Sequence, residues 1–211
     1  MWVARTWALA VLAIPLVAPP SLAAGPPAAA GDALSRAFGG PFELVDHTGA
    51  ARTDRDFLGR YVLITFGYIY CPDICPTNLQ AMSDALDLTG PAAERVQPLF
   101  VSVDPERDTV DVLGSYVGHF HPRLIGLTGS EAQVRAAARA YRVHRSKVLM
   151  DGEDDYLVNH SSLTFLMGPQ GGFVTLFPHG TEAEKMADAI HRHVTPQASD
   201  AERAHGGRTS P

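Results

Sequence analysis

The sequence predicts an α/β fold in which a central mixed β-sheet is flanked by helices. Two observations predict it. Strand-like and helix-like apolar patterns alternate through the middle of the chain, and the only two cysteines, Cys71 and Cys75, lie between a strand-like run and a helix-like segment. The chain has 211 residues, of which 45% are hydrophobic, and this is enough for one substantial core in a single domain.

The first half of the domain is predicted to contain two strands and a helix. Residues 41–46 have a strand-like pattern and lead into a turn-like segment at 47–49. Residues 61–66 form a nearly continuous β-branched and aromatic run, which is typical of a strand covered on both faces. A helix is predicted from Pro76, because proline suits a first helical turn. Apolar residues then recur at helical spacing, at Leu79, Met82 and Leu86.

The same alternation continues through the second half. We predict a strand at 99–103, a helix at 109–120, a strand at 124–127 and a helix at 130–141. Ser130 is suited to the N-cap of that last helix, because its hydroxyl can accept a hydrogen bond from a free backbone N–H.

A β-hairpin and a helix are predicted to complete the domain. The strand-like runs 163–167 and 173–177 are joined by a glycine- and proline-rich turn. The helix is predicted over 181–194, with Thr181 and Glu184 in the positions of a capping box. A strand, a cysteine pair and a helix, then βα alternation, a late hairpin and a C-terminal helix form the order expected of a thioredoxin-like fold.

The two ends of the chain differ in composition from this domain. Residues 25–34 are rich in alanine, proline and glycine and predict a flexible linker. Residues 196–211 have almost no bulky apolar side chains and predict a disordered tail. The folded domain is therefore expected over 35–195.

Residues 1–24 are expected to be a signal peptide or an N-terminal membrane anchor. Arg5 precedes an apolar stretch, and small residues follow it near Ala23. The uncharged residues 6–24 are close to the length of a spanning helix, so both a cleaved signal and a retained tether fit the pattern. Either interpretation predicts an exported domain, periplasmic or anchored to the outer face of the inner membrane.

The charge balance excludes one class of partner. The formal net charge is −6, and the sequence has no cluster of lysine and arginine that could neutralise phosphates. We therefore predict no nucleic-acid binding.

The cysteine pair has two chemical interpretations. Cys71 and Cys75 can act as two soft metal ligands, or they can close a small disulfide loop. In an exported protein two cysteines most often form a disulfide. The pair by itself leaves both interpretations open.

Three separated motifs resemble those of the Sco/SenC family of copper chaperones. They are Phe66-Gly67-Tyr68 followed by C-P-D-I-C-P, then V-S-V-D-P-E-R-D-T at 101–109, and D-Y-L-V-N-H-S-S at 155–162. The resemblance extends in the same order from Phe42 to Val194.

The resemblance implies a copper site with three protein ligands. The family's two thiols correspond to Cys71 and Cys75, and its imidazole corresponds to His160. The implied cargo is one copper ion per chain, as Cu(I) or Cu(II), because thiolates select Cu(I) and imidazole also suits Cu(II). The same two cysteines would form a redox-active disulfide.

The family role implied by the resemblance is that of a metallochaperone and not of an enzyme. The protein would deliver copper to the binuclear copper centre in the acceptor subunit of a respiratory cytochrome c oxidase, supported by a thiol reductant or another copper carrier. The alternative is a thiol–disulfide reductase that reduces the cysteines of the acceptor, using the same sulfurs. A copper- or redox-sensing module is a third class, and the sequence shows no separate output element for it.

Several nearby residues receive weaker assignments. Asn159 replaces the family's usual aspartate, which removes a negative charge beside the imidazole. Asp73 is interpreted as a docking or pKa-modulating residue, or as a solvated turn residue. Arg107 and Asp108 are expected to form a local ion pair or to contact a partner. Two histidines are interpreted as surface residues, His119 and His121.

We also expect local structure to favour thiolates. If a helix starts near Pro76, Cys75 lies at its N-terminal edge, where backbone N–H groups and the helix dipole favour negative charge. Because the residue before a proline is biased away from helical geometry, the two sulfurs are expected on a stiff loop.

Overall fold

The computed structural model describes residues 37–150 and 155–195. The predicted leader (1–24), linker (25–34) and tail (196–211) lie outside the described residues. The strands are β1 Glu43–Asp46, β2 Ala51–Thr53, β3 Tyr61–Gly67, β4 Val96–Ser102, β5 Ile125–Thr128, β6 Arg145–Leu149, β7 Tyr156–His160, β8 Leu163–Met167 and β9 Phe173–Pro178. The helices are α1 Ile74–Thr89, α2 Val110–Val117, α3 Glu131–Ala140 and α4 Ala183–Val194, with short 3-10 helices at Asp54–Phe57 and Gly90–Arg95.

Seven strands form the central sheet, in the order β2-β1-β5-β4-β3-β8-β9. The inner strands β3, β4 and β5 run parallel, whereas β1 and β8 pair antiparallel with β5 and β3. The prediction of a mixed sheet with a late hairpin and a C-terminal helix is confirmed.

The register of β3 and β4 places two loops together. Gly67 pairs with Ser102, so the two parallel strands end at the same edge of the sheet. The cysteine segment follows β3 at this edge, and the V-D-P-E-R-D segment follows β4 there. The sheet therefore joins two motifs that are far apart in sequence.

The core lies on both faces of the sheet. Side chains alternate between the faces along a strand, so Ile64 and Phe66 of β3 enter one cluster, and Leu63 enters the other. Helix α3 covers the first face through Val134, and α1 covers the second through Leu79. This two-sided burial explains why β3 is a continuous apolar run.

Helix α1 starts earlier than predicted. It begins at Ile74, so Cys75 is its second residue and Pro76 its third. A proline is tolerated there because the first four N–H groups of a helix have no intrahelical acceptor. The predicted display of both sulfurs on a loop is therefore wrong for Cys75, which lies in the first helical turn.

The predicted capping box of the last helix is also wrong. Helix α4 begins at Ala183 after the N-cap Glu182, whose side chain makes no capping hydrogen bond. Thr181 instead donates its hydroxyl to the carbonyl of Pro178 at 2.7 Å. By contrast, Ser130 accepts from the N–H of Gln133, as predicted for an N-cap.

The β6–β7 hairpin was not predicted as a pair of strands. Its two strands hydrogen-bond to each other in a separate two-stranded sheet. Within 37–150 and 155–195, no helix is both long enough and apolar enough to cross a bilayer.

Candidate metal centre

The two sulfurs lie at the junction of β3 and α1. Cys71 is in the turn that follows β3, and its N–H donates to the carbonyl of Tyr68 at 3.2 Å. Cys75 is in the first turn of α1 and is 3% exposed. Both cysteines are free thiols, with Cys71 half-buried. Cys75 is therefore held by the core, and Cys71 lies in the less buried turn beside it.

Gly67 makes room for the buried sulfur. A Cβ at this position would lie 2.8 Å from Sγ of Cys75 and 2.8 Å from Cε2 of Phe100, which is closer than such atoms approach. We expect Gly67→Ala to displace Cys75, to lower the free energy of unfolding by about 1–3 kcal/mol and to weaken copper binding. Urea unfolding and copper titration measure the two effects.

Gly118→Ala is the matched control for that substitution. A Cβ at Gly118 would make only ordinary contacts, the nearest at 3.6 Å. Equal stability and copper affinity in the Gly67 and Gly118 variants would contradict the assigned role of Gly67.

His160 reaches the sulfurs from the end of β7. Its Nε2 is 3.3 Å from Sγ of Cys75. The two sulfurs and one imidazole nitrogen all lie within 4.8 Å of one another, and this is the only such group found in the described part of the chain. The structure therefore brings together the three residues on which the predicted site depends. They form a candidate copper site.

The imidazole is oriented by the backbone. Nδ1 of His160 is 3.2 Å from the carbonyl oxygen of Ser161. Because a carbonyl only accepts hydrogen bonds, Nδ1 carries the proton and the lone pair of Nε2 faces the sulfurs. Tyr68 packs edge-on against the ring, with centroids 5.8 Å apart. The orienting hydrogen bond thus comes from Ser161 and does not need an acid at position 159.

The two thiols have opposite pKa shifts. The pKa of Cys71 falls to about 5, because its thiolate accepts hydrogen bonds from the Cys75 thiol and from the N–H groups of Cys75 and Asp73. The pKa of Cys75 rises, because its proton is held by Cys71 and because it is buried. The N–H groups at the start of α1 therefore stabilise a thiolate at Cys71 and not at Cys75, which corrects the expectation for Cys75.

This proton arrangement determines how a metal can enter. Metal ligation requires thiolates, and Cys71 supplies one at neutral pH. The proton of Cys75 is released only when a cation replaces it between the sulfurs. The reduced site is thus partly prepared for a soft cation and gives up one proton when it binds one.

Asp108 ties the two loops together beneath the site. Its carboxylate is 0% exposed, and it accepts hydrogen bonds from the Ser102 hydroxyl at 2.6 Å and from the Ile69 N–H at 3.2 Å. Burial raises the pKa of Asp108 to about 6.

The expected ion pair of Arg107 with Asp108 is not formed. Nε of Arg107 instead contacts Asp104 at 2.5 Å. The ion pair was expected because the two residues are adjacent in sequence, and it does not form because Asp108 faces the core.

One histidine assignment is wrong and the other is confirmed. His121 is 9% exposed, and its Nδ1 accepts from the Arg123 N–H at 3.1 Å. Burial lowers its pKa. His119 is exposed, as expected of a surface residue, and so is Asp73 between the cysteines.

The family model described as SCO1/SenC matches residues 30–195. This chain belongs to the SCO1/SenC family. The SCO2 homologue from Danio rerio is 44% identical over 157 residues, covering 74% of this chain and 56% of that protein. The SCO1 homologue from Homo sapiens is 42% identical over 161 residues, covering 75% of this chain and 54% of that protein. The SCO1/SenC chain spans about half the length of these curated relatives.

Solved structures of the SCO1/SenC family share the fold. Copper-bound ScoI from Bradyrhizobium japonicum has a TM-score of 0.69 and 41% identity, covering 74% of this chain and 99% of that one. Copper-bound ScoI from Arabidopsis thaliana has a TM-score of 0.71 and 39% identity, covering 75% of this chain and 98% of that one. The predicted thioredoxin-like fold is confirmed by these neighbours.

The predicted export to a bacterial periplasm is wrong on these comparisons. The curated SCO1 and SCO2 relatives from Danio rerio, Homo sapiens and Arabidopsis thaliana are named as mitochondrial. The physical reason for the error is that an arginine followed by an apolar stretch indicates affinity for a membrane but does not identify which membrane.

Proposed function

We propose that this SCO1/SenC chain is a copper metallochaperone for a respiratory cytochrome c oxidase. It binds one copper ion through Cys71, Cys75 and His160 and passes it to the binuclear copper centre of the acceptor subunit. The observation that carries the proposal is the convergence of two sulfurs and one imidazole nitrogen within 4.8 Å.

The donor set suits copper in either oxidation state. Thiolates are soft ligands that select Cu(I), and the imidazole also suits Cu(II). Three protein ligands leave the ion open to a ligand from the acceptor, whereas structural zinc sites are closed by four. Copper is thus a cargo that is handed on, and the proposed role is not that of an enzyme.

The relatives support this cargo. ScoI from Bradyrhizobium japonicum and ScoI from Arabidopsis thaliana are described with copper bound, and both align over about three quarters of this chain. The proposal also includes a thiol reductant or another copper carrier that reloads the site. We propose that the copper-binding domain spans residues 35–195 and that residues 1–24 are a signal peptide or an N-terminal membrane anchor.

A second candidate function is thiol–disulfide reduction of the acceptor's cysteines. The low pKa of Cys71 favours it, because the thiolate of a half-buried cysteine at the end of a turn is a nucleophile. The Cys71 thiolate would attack a disulfide of the acceptor and release one of its thiolates. Cys75 would then attack the mixed disulfide, releasing the second acceptor thiolate and leaving a Cys71–Cys75 disulfide.

Copper loading of the reduced protein tests the first proposal. We expect one copper per chain by metal analysis, with a saturable titration endpoint and a visible thiolate-to-Cu(II) charge-transfer band. Copper is retained because two thiolates and an imidazole bind it together. The Cys71→Ser/Cys75→Ser double variant is the control and should bind none at this site. Absence of bound copper in the reduced native protein would favour the reductase.

A further inference from the structure

The strand that carries His160 is not fixed by the central sheet. Strands β6 and β7 hydrogen-bond to each other and form a sheet of their own. On β7 the apolar anchor is Val158, which is buried in the core. The distance from the imidazole to the sulfurs therefore depends on the short link from His160 to β8 and on side-chain contacts between the β6–β7 hairpin and the body of the domain.

A polar cluster makes those contacts at the start of β7. We call Asp104, Arg107, Asp155 and Tyr156 the Arg107 cluster. The carboxylate of Asp104 is 0% exposed, and it accepts from the Tyr156 hydroxyl at 2.7 Å and from Nε of Arg107 at 2.5 Å. Nη1 of Arg107 donates to Asp155 at 2.8 Å. The guanidinium carbon is 3.8 Å from the centre of the Tyr156 ring.

The same guanidinium faces the cysteine segment. It is 4.9 Å from the ring centre of Tyr70, which precedes Cys71, and 5.8 Å from that of Tyr68. Tyr68 in turn packs against the imidazole of His160. Arg107 therefore lies between the segment that supplies the sulfurs and the strand that supplies the nitrogen.

Stability alone does not account for this arrangement. A buried ion pair roughly breaks even against apolar residues of the same volume, because both charges lose their hydration. Nη2 of Arg107 is also buried without a hydrogen-bond partner among the described residues. A planar guanidinium does fix geometry, since it stacks on a ring and donates in defined directions, which a lysine cannot do.

We propose that Arg107 is a positioning residue for copper transfer, which holds β7 through Asp104, Asp155 and Tyr156 so that the imidazole of His160 faces the two sulfurs. The inference rests on the proposed copper site. From Tyr156 to His160 the extended strand spans ~13 Å at its usual rise, so a shift at Tyr156 is passed to the imidazole. Loss of the cluster would leave the sulfurs in place and loosen the strand that carries the nitrogen, while the ion pairs of β6 with Glu131 and Glu106 keep the hairpin attached.

Two conservative variants of the full chain test the proposal. Tyr156→Phe keeps the ring but removes the hydrogen bond to Asp104. Arg107→Lys keeps the positive charge but removes the planar guanidinium that stacks on the Tyr156 ring. We expect Cu(II) affinity to fall ~10–100-fold, the range for partners that orient a metal ligand. Nitrogen hyperfine coupling in the Cu(II) electron paramagnetic resonance spectrum should weaken. Binding of one Cu(I) should persist, because the thiolates remain.

The control is Lys185→Arg, which alters an exposed ion pair with Glu182 outside the cluster and outside the β6–β7 hairpin. It should keep native Cu(II) affinity and native nitrogen coupling. Unchanged affinity and coupling in Tyr156→Phe and Arg107→Lys would overturn the proposal. If Arg107→Lys fails to fold, Asp104→Asn/Arg107→Gln removes both charges together and is measured in the same way.

A metal-free measurement separates this inference from the proposed function. In the reduced native protein, ring protons of His160 and Tyr68 should show a nuclear Overhauser effect, because their centroids are 5.8 Å apart. That signal should be lost in Tyr156→Phe and kept in Lys185→Arg. If the native protein binds no copper, the proposed function fails, and this signal still decides whether the cluster positions the imidazole.

Discussion

Replacing His160 with alanine is expected to remove most of the Cu(II) affinity of the reduced protein and to leave its disulfide-reducing activity nearly unchanged. The imidazole is the only nitrogen in the donor set, and Cu(II) depends on it more than Cu(I) does. The loss of Cu(II) affinity should exceed the ~10–100-fold that an orienting partner is worth. Reduction needs only the sulfurs. The pKa of Cys71 is lowered mainly by hydrogen bonds from Cys75 and Asp73, which remain in the variant, and His160 contributes less than these.

Cu(II) titration and an insulin-reduction assay on the same preparation measure the two activities. His119→Ala is the matched control, because His119 is exposed and lies outside the site. It should retain both activities. Cys71→Ser or Cys75→Ser should abolish both, so these variants do not separate the two functions. Equal loss of copper binding and reduction in His160→Ala would contradict the roles assigned here.

The elements that the sequence predicted well are those whose pattern is local. Strand β3 is buried along Val62–Gly67, so its apolar run is continuous and easily recognised. Helix α3 follows Ser130, which caps it through contacts three residues away. The hairpin of β8 and β9 has a glycine-rich turn between two apolar runs. In each case the decisive interactions lie within a few positions of each other.

The β6–β7 hairpin had no such local pattern. Most side chains of β6 are exposed, and the strand includes Arg145 and Lys147. These two residues are held by distant partners: Arg145 pairs with Glu131, and Lys147 pairs with Glu106. Strand formation here depends on tertiary contacts, which a periodicity argument does not contain.

The same difference between local patterns and long-range contacts applies to the candidate site. Cys75 and His160 are 85 positions apart, and it was the resemblance of separated motifs, not spacing, that paired them in advance. The location of the thiolate was not predicted, because it depends on which sulfur accepts hydrogen bonds and which is buried. The bond from Tyr156 to Asp104 joins residues 52 positions apart and has no sequence signal of its own.

Asp108→Asn is expected to change the pH dependence of stability. The folded-state pKa of Asp108 is about 6, against an ordinary value of 3.8 for an aspartate. The folded state therefore binds more protons between these pH values, and its stability falls as the pH rises through them. The difference corresponds to about 3 kcal/mol that the native protein loses between about pH 4 and pH 7. An asparagine side chain does not ionise, so the variant does not lose this stability as the pH rises.

The amide also weakens the hydrogen bond from Ser102, at a cost of about 1 kcal/mol. We therefore expect Asp108→Asn to be less stable than the native protein by about 1 kcal/mol near pH 4 and more stable by about 2 kcal/mol at pH 7. Urea unfolding at several pH values should show the two curves crossing. The control is Asp188→Asn, which removes an exposed carboxylate and should follow the native curve. Parallel curves for Asp108→Asn and the native protein would mean that Asp108 is not held as a costly buried charge beneath the sulfur pair.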